Sequence, residues 1–190
     1  MASNSVSQNT PLVTTLAIVA AMGIGVRFLV RIPIIPGLLE LTPGFMFSEL
    51  GGIIGGLAGG MLVGAIVGVG GAMAGGEPFL LPMIGNIFLG VGTGWAIHVN
   101  SDRDSVHYRI MVILGGALIG GFLPSITIFA FFTESLEAAI IVALIDCFQA
   151  GLWASLALFV EKSIRLIIEN YIYRKAKTQN NLSGTGDGLA

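Results

Sequence analysis

FMFSELGGIIGGLAGGMLVGAIVGVGGAMAGG, residues 45–76, decides the fold. Twelve of these 32 residues are glycine, and Glu49 is the one charged side chain. Gly52, Gly56, Gly60, Gly64 and Gly68 recur every four residues, and Ala72 and Gly76 continue the spacing. In water such a helix is costly, since each Gly loses about 1 kcal/mol against Ala. In a bilayer the backbone must bond within its own helix, and small residues at every fourth position let helices approach closely. Flexible glycine linkers are polar and serine-rich, unlike this stretch. It reads as the packed centre of a membrane bundle.

The composition agrees. The chain has 190 residues, 54% hydrophobic and 11% charged, against about 25% charged in a typical soluble domain. Its mean hydropathy is +0.89. A net charge of −2 gives no electrostatic ground for a nucleic-acid partner. Cys147 is the lone cysteine and makes no internal disulfide. Met1 to Pro11 carries no charged side chain and lacks the basic n-region of a signal peptide, so the first span is expected to be retained. The chain thus predicts an all-α integral membrane protein. Residues 1–177 form one helical domain, and 178–190 a flexible cytoplasmic tail.

Around the glycine stretch the spans follow in order. Thr10 and Pro11 start helix 1, which runs to about Val30 with Arg27 and Arg31 near its end. Ile32 to Gly44 contains Pro33, Pro36 and Pro43 and predicts an extended loop or a broken helix. As one helix, Phe45–Gly76 would be about 48 Å long, too long for a core of about 30 Å without strong tilt. A split near Gly59-Gly60 into two spans is preferred. Three further helices follow: Leu80 to His98; Ile110 to Phe132, kinked at Pro124; and Ala138 past Val160. The expected architecture is a six-span bundle with short loops. Lys162, Arg165, Arg174, Lys175 and Lys177 make the tail cytoplasmic. Both termini then lie inside, in the plasma membrane, and Arg27 and Arg31 face outward against the charge rule.

Motifs exclude several functions. There is no P-loop, and Gly90-Val-Gly92-Thr-Gly94 sits inside a span with no strand before it. His98 and His107 lack metal-ligand spacing and read as interfacial. No nucleophile–base pair, metal site or cofactor site can be assembled, so the chain is not expected to be an enzyme. Polar groups inside spans are more informative, because each is expensive there. Asp146 begins a face continued by Gln149 and Trp153, Asn86 lies at similar depth in its helix, and Glu49 enters from the same side. They converge on an outward-facing polar pocket, or else Asn86 and Asp146 only bond neighbouring helices. Ala17, Ala21 and Gly25 form a stripe of small residues on helix 1, either internal packing or a docking surface.

The chain resembles the substrate-binding S components of energy-coupling factor (ECF) vitamin transporters. The likeness covers roughly Leu12 to Arg165. It rests on six short spans, the Ala17-Ile-Val-Ala-Ala21 stripe, the proline-rich first loop leading into Phe45 to Gly68, and Pro82-Met-Ile-Gly-Asn-Ile-Phe-Leu-Gly90. It implies a membrane subunit that captures a small vitamin-like substrate outside. Uptake would be driven by a transmembrane coupling (T) subunit and two ATPase (A) subunits. By that likeness Ala17 and Ala21 contact the coupling subunit, and the bundle topples in the membrane during turnover. Arg27, Arg31, Glu49, Asn86, Asp146, Gln149 and Trp153 are the candidate substrate-binding residues. Acids suggest a cationic or donor group on the substrate, and arginines an anionic one. The alternative is a non-transporting scaffold subunit of a cell-envelope assembly complex, with the same packing and no ligand.

Overall fold

The computed structural model describes residues 10–30, 32–35, 39–76, 78–133 and 135–183. Thr10 and Pro11 open α1, Thr10–Leu29. The Thr14 and Thr15 hydroxyls donate back to the Thr10 and Pro11 carbonyls at 2.9 Å, so neither is left unbonded in an apolar setting. α1 buries only Leu16, Val19, Ala20 and Gly23, one narrow stripe. The proline-rich segment is extended where it is described, at residues 32–35 and 39–41, and not helical there. Its ends form an antiparallel ribbon, β1 Ile32–Ile35 against β2 Leu39–Leu41, with Ile32 opposite Leu41 and Pro33 opposite Glu40. Proline excludes helix and tolerates an edge strand, but composition alone does not say whether two such segments pair.

α2, Phe45–Gly75, is interrupted at Gly56, whose φ of 63° and ψ of −157° no helix contains. There the chain folds back on itself. A Cβ on Gly51 would stand 2.8 Å from a Val63 methyl, and one on Gly59 would stand 2.8 Å from the Gly51 carbonyl oxygen. Gly51 and Val63 would be about 18 Å apart on a straight helix. Gly44 and Gly71 likewise both lie against the Arg27 side chain. The expected break near Gly59-Gly60 is therefore corrected to Gly56. Gly59 and Gly60 are occupied in close packing, against Gly51 and Gly90, which a sequence rich in candidates does not reveal.

The limb after Gly56 supports α3, Leu80–Gly94, backbone against backbone. Gly60 faces Gly90, Gly64 faces the Asn86 carbonyl, and Gly68 faces Met83, where an added Cβ would lie 2.5 Å from Cα. α3 continues through Trp95 into α4, Ala96–Val99. Ser105 then caps α5, Val106–Leu114, its Oγ accepting the Tyr108 N–H at 3.1 Å. Gly115–Phe122 widens into a π-helix before α6, Leu123–Thr127. Pro124 follows directly; with no N–H, it cannot bond the Gly120 carbonyl and hold an α-turn. The expected proline kink thus takes the form of a widened turn. A short 3-10 turn, Phe129–Phe132, leads to α7, Leu136–Ser183. α7 runs beyond 178, where the tail was expected to begin, and residues 184–190 lie outside the described ones.

Five of these helical stretches are long and apolar enough to cross a bilayer: Thr10–Leu29, Phe45–Gly75, Leu80–Val99, Val106–Thr127 and Leu136–Leu166. The architecture is a helical, multi-pass membrane bundle with one small ribbon. The count differs from six because two expected spans form one element with a reversal inside it. Its first limb, eleven residues, is only about 16 Å long.

An ionic network closes the end away from the ribbon. Arg103 donates to Glu161 at 3.0 Å and to the Ile54 carbonyl at 3.4 Å, on the turn just before the Gly56 break. Arg165 grips Asp104 with two bonds of 3.0 and 2.8 Å and approaches Glu161, four residues earlier on α7, at 3.4 Å. The Arg165 hydrogen bonds hold the Asp104 carboxyl below its ordinary range.

Gly64→Ala should destabilise the bundle by about 1–3 kcal/mol through overpacking, lowering the melting temperature in detergent by about 2–4 °C per kcal/mol. Gly25→Ala is the control, because nothing lies within 4 Å of its added Cβ. Equal melting of the two variants would contradict the backbone contact.

Candidate functional site

The backbone contact that places α3 also places Asn86. The Ser48 hydroxyl, on the first limb of α2, donates to Asn86 Oδ1 at 2.8 Å, and Asn86 Nδ2 donates to the Pro82 carbonyl at 2.8 Å. The amide is thereby fixed in a buried position, 2% exposed. Next to it, between α3, the π-helix, α6 and α7, is a cavity of ≈ 320 Å³, at the small end of the range for ligand sites. Its ionisable lining consists of Arg27 and Asp146 among the described residues, and Asn86, Thr42 and Ser125 supply the neutral polar groups. Phe45, Leu81, Pro82, Leu89, Pro124 and Phe129 make the remaining wall largely apolar. The inner residues Asn86 and Leu89 are buried while Thr42, Phe45, Leu81 and Phe129 are half-buried, so the mouth lies at the ribbon end.

Each polar group is held by its neighbours. The Arg27 guanidinium lies 5.3 Å above the Phe45 ring centroid, a cation–π contact. Gly44 and Gly71 make room for it, since a Cβ on either would stand 2.6 and 2.9 Å from Arg27 Nε. Asp146 is bonded by Ser125, whose hydroxyl also lies 3.0 Å from the Gly121 carbonyl. The one hydroxyl proton serves either acceptor. The bare backbone of Gly121 abuts the Asp146 carbonyl, bringing the π-helix within reach of α7. Gln149 is buried and accepts the Thr42 N–H through Oε1, tying the segment after the ribbon to α7.

The expected site residues therefore divide. Arg27, Asn86 and Asp146 come together in the cavity, and Gln149 reaches it through Thr42. Trp153 does not line it; its indole nitrogen is buried without a hydrogen-bond partner. Arg31 lies outside the described residues. Glu49 sits about one turn deeper. Thr93, one turn beyond Leu89, donates its hydroxyl to the Glu49 carbonyl at 2.9 Å, and a Cβ on Gly116 would lie 3.2 Å from Glu49 Oε1. The Glu49 carboxyl is fully buried, and neither oxygen has a hydrogen-bond partner. The Trp95 indole nitrogen, against Gly115, is likewise buried and unbonded.

Sequence reasoning missed Ser125, Ser48 and Thr42. Hydroxyls inside spans bond back to their own helix as a rule, so they carry little signal, and Thr42 acts through its backbone. His98 and His107 are exposed at the end opposite the mouth. Among the described residues no group of three His, Cys, Asp or Glu side chains could hold a metal ion. The arrangement offers recognition: a guanidinium, a fixed amide and a carboxylate around an apolar chamber.

The small-residue stripe of α1 lies elsewhere. Ala17 and Ala21 are exposed and Gly25 is half-buried, with open space where a Cβ would stand. The stripe is not internal packing. No family model and no curated protein matches the chain.

Glu49→Met keeps the volume and removes two unbonded polar atoms, a change that is neutral or stabilising at buried sites. The variant should melt no lower than the parent, and higher by about 2–4 °C for each kcal/mol recovered. A clear fall would show that the carboxyl has an internal partner such as ordered water.

Proposed function

We propose that this chain is the substrate-binding membrane subunit of an importer, an S component of the energy-coupling factor type. In this role it captures a vitamin or related small micronutrient outside the cell, and partner subunits supply the energy. The observation that carries the reading is the cavity: small, open at one end of the bundle, and equipped with Arg27, Asn86 and Asp146. A scaffold has no need of a chamber with two opposite charges, because charges inside a bundle are expensive unless they serve function or packing.

The topology fits the same reading. With the first limb of α2 counted as a short pass, the chain makes six passes and both termini share one side. The basic residues after Val160 assign that side to the cytoplasm of a plasma-membrane protein, and the cavity then opens outward. The coupling subunit would dock on the exposed Ala17–Ala21–Gly25 face of α1, where small side chains permit close helix approach. The two ATPases would be reached through that subunit, and the chain itself binds without catalysing a reaction.

Ala17→Trp or Ala21→Trp should abolish uptake in cells expressing the whole transporter, while the purified variant keeps the melting temperature and ligand occupancy of the parent. Loss of folding with either substitution would contradict the exposed stripe, and unimpaired uptake would contradict docking there. A topology reporter inserted between residues 32 and 44 should read outside. A cytoplasmic signal would reverse the orientation of the cavity.

A further inference from the structure

We propose that the ligand of this cavity is an organic cation, a single-ring base whose protonated nitrogen docks on the Asp146 carboxylate. The inference rests on the binding role proposed above and adds the chemical class of the occupant and the group that selects it.

Chain direction sets the depth of Asp146. α3 enters from the mouth, so Asn86 stands about one turn nearer the mouth than Leu89. The π-helix and α6 run the opposite way. Gly120 packs on Leu89, and Ser125, five residues on, lies about one turn nearer the mouth. The Asp146 carboxylate is bonded to Ser125, so it lines the chamber at about the same depth as the Asn86 amide. The bare backbone of Gly85 lets the Phe129 ring close on α3 beside Asn86, since a Cβ there would stand 3.1 Å from Phe129 Cζ. A planar apolar wall thus flanks the two polar groups.

Most polar atoms around the chamber are already used. Arg27 is engaged, its guanidinium on the Phe45 ring. Asn86 uses its oxygen on Ser48 and one N–H on Pro82, which leaves a single N–H. The Ser125 hydroxyl is shared between Gly121 and Asp146. Asp146 is different. One of its oxygens meets Ser125, and the other has no partner among the described residues. No described Lys, Arg or His forms an ion pair with it. Below the Leu89 floor lies Glu49, a second acid and no counter-charge. An anion would meet Asp146 as a like charge, and a neutral ligand would cover a carboxylate without balancing it. A cation fills the chamber and neutralises the carboxylate in one contact, a charge-assisted bond of about 2.7–2.9 Å. The ≈ 320 Å³ available suits one ring with a short basic arm.

The test uses three single-ring probes on the purified full chain at neutral pH: benzylamine, which is protonated there, neutral benzyl alcohol of the same shape, and benzoate. Binding is read by calorimetry, with native mass spectrometry of whatever co-purifies. The amine should bind about 10- to 150-fold tighter than the alcohol, the gain from a charge-assisted contact, and benzoate more weakly than either. This comparison on the parent decides the class without any substitution. Asp146→Asn should bring the amine down to the level of the alcohol while leaving the alcohol unchanged, which also shows that the chamber is intact. Ser125→Ala keeps the charge and should retain the preference for the amine. If the alcohol binds the parent as tightly as the amine, or Asp146→Asn keeps the amine's advantage, the cation assignment is overturned and the cavity reading stands. A co-purified molecule lacking a basic group has the same consequence. If no probe binds and nothing co-purifies, the binding role of the cavity is overturned with it.

Discussion

Three backbone contacts, Gly60 on Gly90, Gly64 on Asn86 and Gly68 on Met83, set the geometry of this bundle. No side chain larger than hydrogen fits at these glycines, and each contact fixes the height of α3 against α2. Dispersion between closely apposed backbones replaces the hydrophobic effect, which does not drive helices together in lipid. The same contacts carry the site. Asn86 is presented because its own carbonyl rests on Gly64, and Leu89 forms the cavity floor because Gly120 lets the π-helix press against it. The reversal at Gly56 makes the arrangement possible, since Gly52 from one limb and Gly60 from the other meet the same Gly90.

The two ends of the bundle are built differently. At the end away from the ribbon, Arg103, Asp104, Glu161 and Arg165 lock the loop after α4 to α7, and Arg103 also satisfies the Ile54 carbonyl near the Gly56 break. At the ribbon end there is space, with Thr42 held to Gln149 and Arg27 stacked on Phe45 over the mouth. A rigid closed end and a cavity at the other suit a protein that receives a ligand from one side. The unbonded Glu49 carboxyl lies between the two regions, and its retention at a fully buried position is unexplained by packing.

The sequence revealed the membrane class, the glycine ladder and the convergence of Asn86 and Asp146, because each follows from periodicity or from the cost of polar groups in lipid. It did not reveal which glycine takes positive φ. Gly51, Gly52, Gly55, Gly56, Gly59 and Gly60 are all free to do so, and the structure places it at Gly56. Nor did it reveal the ribbon, since strand pairing across prolines depends on a partner segment, or the π-helix, since Gly115–Phe122 reads as ordinary helix. Glu49 and Asp146 are both acids inside spans, and sequence alone does not say that only Asp146 lines the cavity. For Ala17, Ala21 and Gly25 periodicity gave a face without saying what covers it, and the structure leaves that face open.

The central claim is that α2 doubles back at Gly56 and so builds the wall of the cavity. Spin labels at Met46 and Met73, in a Cys147→Ala background reconstituted in lipid, measure this directly by pulsed electron spin resonance. On a straight helix the two positions would be about 40 Å apart. Folded back, with limbs about 8–10 Å apart, they should give a distance peak below about 20 Å. A dominant peak near 40 Å would contradict the reversal and the cavity that rests on it.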